Sequence, residues 1–381
     1  MKVLRQLKCL WHSGNPNDLS LWKFFILSVI LLSAVVLGFR MVDRLATGQA
    51  LLGSEQEQQR ILNDYFQQIA SLKLNPQPSN SQVSPPQVSP PQTALPQTAL
   101  EVARATTVTT VQQLNGQRKG LLLQFLAEAN LLNEQAAIPL QGADLGGAEL
   151  SRQRLEGIQL AGANLQKAVL QNAALQRSNL QATQLLEANL QAADLQAANL
   201  QGAVLTRANL RTANLEGVNL QQGILRGANL RGANLRSSDF TDANLDGVRL
   251  ESANLEGGQF QRAEMENAQL TRSKLIGTQL QQAVLRGATF TGATVTRANL
   301  ARTDLRATDF RNVDLEGVNL RRANLTRADL RHANLDGVQL QRANLSYANL
   351  HRASLERANL EQVIWCGTTM PNGTINNSGC R

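Results

Sequence analysis

From Leu145 to Leu360 an apolar residue recurs at every fifth position without a slip. Of these 44 centres, 38 are Leu, four are Phe (Phe240, Phe260, Phe290, Phe310), and Met265 and Val295 fill the rest. Two positions before each centre stands Ala, Ser, Thr, Gly or Val, with Gln153 and Ile158 as the exceptions. A period of five fits neither a helix, at about 3.6 residues per turn, nor a flat strand, at about two. A helix would scatter these leucines around its axis, and a strand would send alternate ones to opposite faces. The chain must therefore turn at regular intervals so that every centre meets one common interior. Four pentads closing one square turn satisfy this, with a short extended stretch per side and a tight turn per corner. The centre and the small residue before it point inward, and the other three positions point out. Asn or Asp often precedes the centre, as in the Ala-Asn-Leu runs at 163–165, 208–210 and 228–230. Such side chains hydrogen-bond nearby turn backbone.

The A(N/D)Lxx pattern over residues 143–362 resembles the pentapeptide-repeat proteins. That resemblance implies an all-β solenoid, a right-handed quadrilateral β-helix of about 11 coils. Stacked at roughly 4.8 Å, the coils make a rod about 53 Å long. The stacking period is then 20 residues. Phe240 and Phe260, and likewise Phe290 and Phe310, are 20 apart and are expected to stack as structural core in adjacent coils. A leucine-filled interior leaves no volume for a cofactor, and none is expected.

The flanks follow different patterns. Residues 1–20 form a basic N-terminal segment. Residues 24–39, FFILSVILLSAVVLGF, are uncharged and apolar. With Leu21 and Trp22 they approach the roughly 20 residues that span a bilayer, so 21–39 is expected to be a transmembrane helix and uncleaved signal anchor. A cleaved signal peptide and a buried soluble helix are the alternatives. Lys2, Arg5, Lys8 and Lys23 precede the span and Arg40, Arg44 and Arg60 follow it, a bias that points the N-terminus to the cytoplasm. Residues 40–74 carry Leu62, Phe66, Ile69 and Leu72 as a helical stripe, read as a juxtamembrane helix that self-associates or stands exposed. Residues 75–98 hold seven of the ten prolines. They read as a polyproline-like or disordered linker reaching at most about 75 Å. Residues 101–137 read as two helical segments broken at Asn115-Gly116. The stretch VARA…GQRKGLLLQFLAEANLL resembles a helical module that precedes pentapeptide repeats in cyanobacterial membrane proteins. Its apolar face of Leu122, Phe125, Leu126 and Ala129 is expected to cover the first coil, whose open edge otherwise invites aggregation. Pro139 marks the entry to the rod at 138–362. Residues 363–381 form a C-terminal cap in which Val363, Ile364 and Trp365 close the far end.

Charge narrows the partner. The chain is +8 overall, and residues 140–360 hold 25 basic and 20 acidic side chains. The excess lies in 286–360, with 12 Arg against seven acids. Two ladders at 20-residue spacing, Arg302, Arg322 and Arg342, and Arg311 and Arg331, form a candidate surface for an anionic partner, since Arg matches phosphate and carboxylate in a planar fork. A solvated surface laced with Asp and Glu is the plainer reading. Aromatics are 4% of the chain, too few for base stacking, so nucleic acid is not the expected partner. Some pentapeptide proteins imitate DNA at gyrase through a strongly acidic surface, a role that a net-positive rod does not suit.

Catalytic and metal chemistry find little footing. No Gly-rich phosphate loop, nucleophile elbow or Cys–His constellation occurs. His332 and His351 are 19 apart and fall on adjacent coils, but two surface His are too few ligands. The carboxylate pairs Asp239–Asp242 and Glu264–Glu266 lie outward with no cleft. Cys366 and Cys380 bracket a short tail; a disulfide there would staple a cap and require an oxidising compartment, while two free thiols are the alternative. The tail resembles the ending of some pentapeptide proteins outside the cytoplasm. The resulting expectation is a single-pass, non-enzymatic scaffold with its rod on the periplasmic or thylakoid-lumenal side, able to pair with a second copy through its caps. A membrane-tethered cytoplasmic regulator is the second reading, and an enzyme the third.

Overall fold

The computed structural model describes residues 52–74, 97–129, 131–132, 138 and 140–380. The basic segment 1–20, the expected transmembrane span 21–39, nearly all of the Pro-rich linker and Pro139 lie outside the described residues. Among the described residues no helix is long and apolar enough to cross a membrane. The chain divides into two units, Met1–Glu57 and Gln58–Arg381. The described part of the first opens a helix, α1 (Leu52–Leu74). The second contains the rod.

Every pentad of the rod repeats one local structure. The N–H two before a centre donates to the carbonyl of the previous centre, as Ala148 does to Leu145 at 3.0 Å, and closes a four-residue turn. The third residue of that turn has positive φ, 65° at Gly147 and 60° at Arg152, which makes it a type II turn. Among the described residues, thirty other than Gly hold this left-handed conformation. Each costs about 1–2 kcal/mol relative to a right-handed residue, so stacking between coils, not local preference, imposes the corner.

Stacking is a continuous parallel ladder. The residue before each centre bridges to the residue 20 further on, from Asp144–Asn164 through Asn349–Thr369. Three backbone bonds recur along the rod, save between 292–297 and the next coil: Leu145 N–H to Asn164 O at 2.7 Å, Gly147 N–H to Gln166 O at 2.8 Å, and Asn164 N–H to Ala143 O at 2.9 Å. The Asn at this bridge also works as expected: Asn164 Oδ1 accepts from Gln166 N–H at 3.1 Å. Its amide reaches Asp144 Oδ1 one coil away at 2.8 Å, so side-chain ladders run beside the backbone ones.

The centres from Leu140 to Leu350 are buried throughout. Ser and Thr fit the small inward position because a turn carbonyl satisfies them; Ser178 donates to Leu175 O at 2.6 Å. Phe240 and Phe260 stack with ring centroids 4.8 Å apart and planes 4° from parallel. Phe290 and Phe310 do so at 4.6 Å and 20°.

Three helices meet at the N-terminal end. Helix α2 is Gln97–Gln113, starting before the expected 101, and α3 is Gly116–Glu128, with Asn115 accepting from Arg118 N–H as its N-cap. Leu122 and Leu126 are buried as expected, whereas Phe125 turns away from the coil and packs on Phe66 of α1 at 4.4 Å. The expectation that α1 self-associates or stands exposed is thereby corrected from Gln58 onward. Leu62, Tyr65 and Ile69 are buried, Tyr65 shares a 2.7 Å hydrogen bond with Thr107, and Gln58 bonds Gln113 O and Asn115 N–H. Tyr65, absent from the expected stripe, completes it.

The far end also differs. The ladder continues beyond 362, with Asn344 bridged to Ile364 and Asn349 to Thr369. Trp365 is not a lid: it occupies the next centre, 20 after Leu345, and is buried. A short hairpin, β1 (Thr368–Thr369) and β2 (Ile375–Asn376), finishes two sides, while Leu360 on the others is 36% exposed.

Candidate interaction surface

A square coil has four sides, named here by one coil: side A is 302–307, B 307–312, C 312–317 and D 317–322, each repeating at 20-residue intervals. Arg302, Arg322 and Arg342 occupy left-handed corner positions between D and A, at φ of 61°, 58° and 62°. All three are exposed. Among the described residues the Arg302 and Arg322 guanidinium groups meet no carboxylate, and Arg342 donates to Gln362 at 2.8 Å. The ladder therefore presents open forks.

Arg311 and Arg331 are arranged otherwise. Arg311 forks onto Asp309 at 2.9 and 2.6 Å and comes within 3.7 Å of Asp329. Arg331 forks onto Asp329 at 2.8 and 2.6 Å. Hydrogen bonds from Arg311 and Arg331 hold the Asp309 and Asp329 carboxyls below the usual carboxylate range, against a partial burial that works the other way. An Asp before a centre and an Arg after it sit two apart on the same outward strip, so they close on each other. This second ladder carries its own anions. The structure thus separates two ladders that looked alike by spacing.

The remaining candidates fall as follows. Cys366 and Cys380 are joined by a disulfide that ties the hairpin to the last turn. His332 and His351 are neighbours on adjacent coils, His332 N–H donating to His351 O at 3.1 Å. Among the described residues no group of three or more His, Cys, Asp or Glu is placed to hold a metal. Asp242 is forked by Arg262 at 2.6 Å through both oxygens, a hydrogen-bonded pairing that lowers the Asp242 carboxyl. A groove of about 510 Å³ runs along the edge between A and B, lined by Glu266, Arg286, Arg306 and Tyr347 where Gly287 and Ala307 leave a gap.

The family model described as pentapeptide repeats, in eight copies, matches segments from 143–181 and, overlapping, from 188 through 362. The chain belongs to the pentapeptide-repeat family. A right-handed β-helical solenoid goes with that membership. Among solved structures, the rod is similar to QnrB1, a plasmid-mediated fluoroquinolone resistance protein, at 20% identity over 42% of this chain and 88% of that one, with a TM-score of 0.37. It is similar to HetL, involved in heterocyst differentiation regulation in the cyanobacterium Nostoc sp. strain PCC 7120, at 27% identity over 67% and 98%, with a TM-score of 0.24. Rfr23 from the cyanobacterium Cyanothece 51142 matches at 26% over 34% and 85%, with a TM-score of 0.15. No curated protein matches the chain.

The four sides of this pentapeptide-repeat rod differ in charge. The C-terminal excess of Arg is concentrated on side A and its corners, with Arg286, Arg302, Arg306, Arg322, Arg327 and Arg342. Side C of the same coils carries Asp314, Glu316, Asp336 and Glu356 on its flat, with Arg297, Arg352 and Arg357 at its corners. Side D carries Asn and Gln along its flat, with Arg321 on it and arginines at both its corners. The signal was present in the sequence as columns at a 20-residue period, and it emerges once residues are sorted by side instead of counted along the chain.

Proposed function

We propose that this pentapeptide-repeat protein is a membrane-anchored, non-enzymatic scaffold that holds a rigid rod outside the cytoplasm and engages an anionic partner through Arg302, Arg322 and Arg342. The observation that carries the partner reading is the open ladder. Among the described residues, these three arginines stand in one exposed column with no carboxylate partner, while their neighbours Arg286, Arg306, Arg311 and Arg331 are closed on acids. Preformed spacing on a rigid ladder lowers the ordering cost of a multivalent contact. The apolar run at 21–39 supports the anchor. The Cys366–Cys380 disulfide supports an oxidising compartment, periplasm or thylakoid lumen.

Two experiments test this reading. The variant carrying Arg302→Glu, Arg322→Glu and Arg342→Glu should lose capture of the crosslinked partner, and unchanged capture returns the ladder to ordinary surface. In intact spheroplasts the rod should be cut by added protease; protection would favour a rod on the cytoplasmic side.

A further inference from the structure

Side A reverses sign along the rod axis. Two adjacent coils carry Asp242, Asp246, Glu264 and Glu266, with Arg262 as their one base. The next coils carry Arg286, Arg302, Arg306 and Arg322, with Asp304 as their one acid. The boundary between the signs lies between Glu266 and Arg286, which already pair at 2.9 Å within the chain.

We propose that side A is the interface of an antiparallel homodimer whose two-fold axis crosses the rod at this boundary. A two-fold axis perpendicular to the rod, lying in the interface plane, keeps each column of side chains facing itself and reverses its order. Asp242 then faces the second copy's Arg302, Asp246 faces Arg306, and Glu266 faces Arg286. No like charges stand directly opposite: Arg262 meets Gln282, Glu264 meets Val284, Arg322 meets Gln222 and Arg342 meets Gly202. Among the described residues, two of the charges that gain a partner lack an ionic one within the chain. Arg302 has none, and the Asp246 carboxylate accepts only the backbone N–H of Glu266, at 3.0 Å. At the far edge Arg207 faces Tyr347, a residue 60% exposed, in position for a cation–π contact.

Side A also carries outward apolar groups suited to contact. Val204, Ile224 and Val284 stand in its bridge column, and Ile224 is 39% exposed. Overlap of ten coils at roughly 4.8 Å, on a side roughly 10 Å wide, buries about 1,000 Å² in total. That is the lower bound for a specific interface, and the charge pairs across it make the dimer depend on salt. The pairing uses Arg302 of the anion-binding ladder but leaves Arg322 and Arg342 opposite neutral residues, so a variant with Arg322→Glu and Arg342→Glu should lose anionic-partner capture and keep the dimer, which separates the two readings.

The test is sedimentation equilibrium of the full-length chain in a non-ionic detergent, with Asp242→Arg and Arg302→Asp variants. The wild type should dimerise at low salt and weaken at least about tenfold near 0.5 M salt, where the screening length falls to a few Å. Each single variant sets like charges together twice per dimer and should weaken association by roughly tenfold or more. Mixing the two variants should restore a heterodimer. The two substituted positions then face each other with opposite charge, and the native Arg302 of one chain meets the native Asp242 of the other. Recovery on mixing excludes misfolding as the cause of the single-variant losses. A monomer at high micromolar concentration, a dimer indifferent to both substitutions (as end-to-end pairing would be), or failure to recover on mixing would each overturn the proposal.

Discussion

The inward pair, a centre and the small residue two before it, behaves as one steric unit. At Phe260 the partner is Gly258, and a Cβ there would come within 2.8 Å of the Phe260 ring. Gly258→Ala should therefore destabilise the rod by about 1–3 kcal/mol, as overpacking does. In a Phe260→Leu background the same change should be close to neutral, and a denaturant double-mutant cycle measures the difference. The register's main departure has a local cause as well. Gln153 takes an inward position because its amide donates to Gly120 O of α3 at 2.9 Å, so the exception marks where the cap sits. Corner arginines trade stability for side chain. Arg322→Gly should raise rod stability by up to about 1 kcal/mol by relieving the left-handed corner, while reducing anionic-partner capture. Chemical denaturation and the capture assay report the two effects separately.

Between elements, two glycines decide how α3 meets the first coil. Added Cβ atoms at Gly116 and Gly120 would lie 2.1 Å from Gly147 O and 2.0 Å from Glu149 O. The helix thus approaches backbone to backbone, and Glu149 N–H, on the otherwise open edge, donates to Gly116 O at 2.9 Å. Lys119 adds a bond to Gly146 O at 3.2 Å. Gly120→Ala should force the helix off the coil and cost about 1–3 kcal/mol, seen as earlier loss of helical circular dichroism and faster proteolysis of the cap. Burial pushes the Tyr65 phenol well above its ordinary value, against the hydrogen bond to Thr107. The unfolded chain ionises that phenol near pH ~10, while the folded cap keeps it neutral. Its contribution is therefore whole below that pH and is lost as pH rises through the higher folded value. Helical signal should fall in strong base, and Tyr65→Phe should blunt the fall.

For the whole molecule, what matters is how charge is shared among four flat sides of a stiff rod. A net charge of +8 describes none of them. Side A is basic in the C-terminal coils, side C there sets four acids against three corner arginines, and side A itself changes sign further back. An antiparallel pair through side A places the two N-terminal helical caps at opposite ends of the joined rods. Light scattering of the full-length chain in detergent should report a larger particle at low salt than at high salt. Asp242→Arg should abolish the difference; a difference that survives it points to another contact.

The repeat by itself determined the inside of the rod: the square coil, the 20-residue stacking and the stacked Phe pairs all follow from a period that only a regularly turning chain can bury. The helical break at Asn115-Gly116 was equally readable, because a cap residue and a Gly interrupt an apolar pattern locally. Tertiary structure alone decided three other matters. It placed α1 on the cap, since the contact of Tyr65 with Thr107 joins residues 42 apart. It turned Trp365 from lid into core, because the ladder carries its register past the last recognisable pentad. It also sorted two arginine ladders of identical spacing into one closed on Asp and one open. That outcome depends on which outward neighbours lie within a side chain's reach across coils, and a one-dimensional period does not specify those distances.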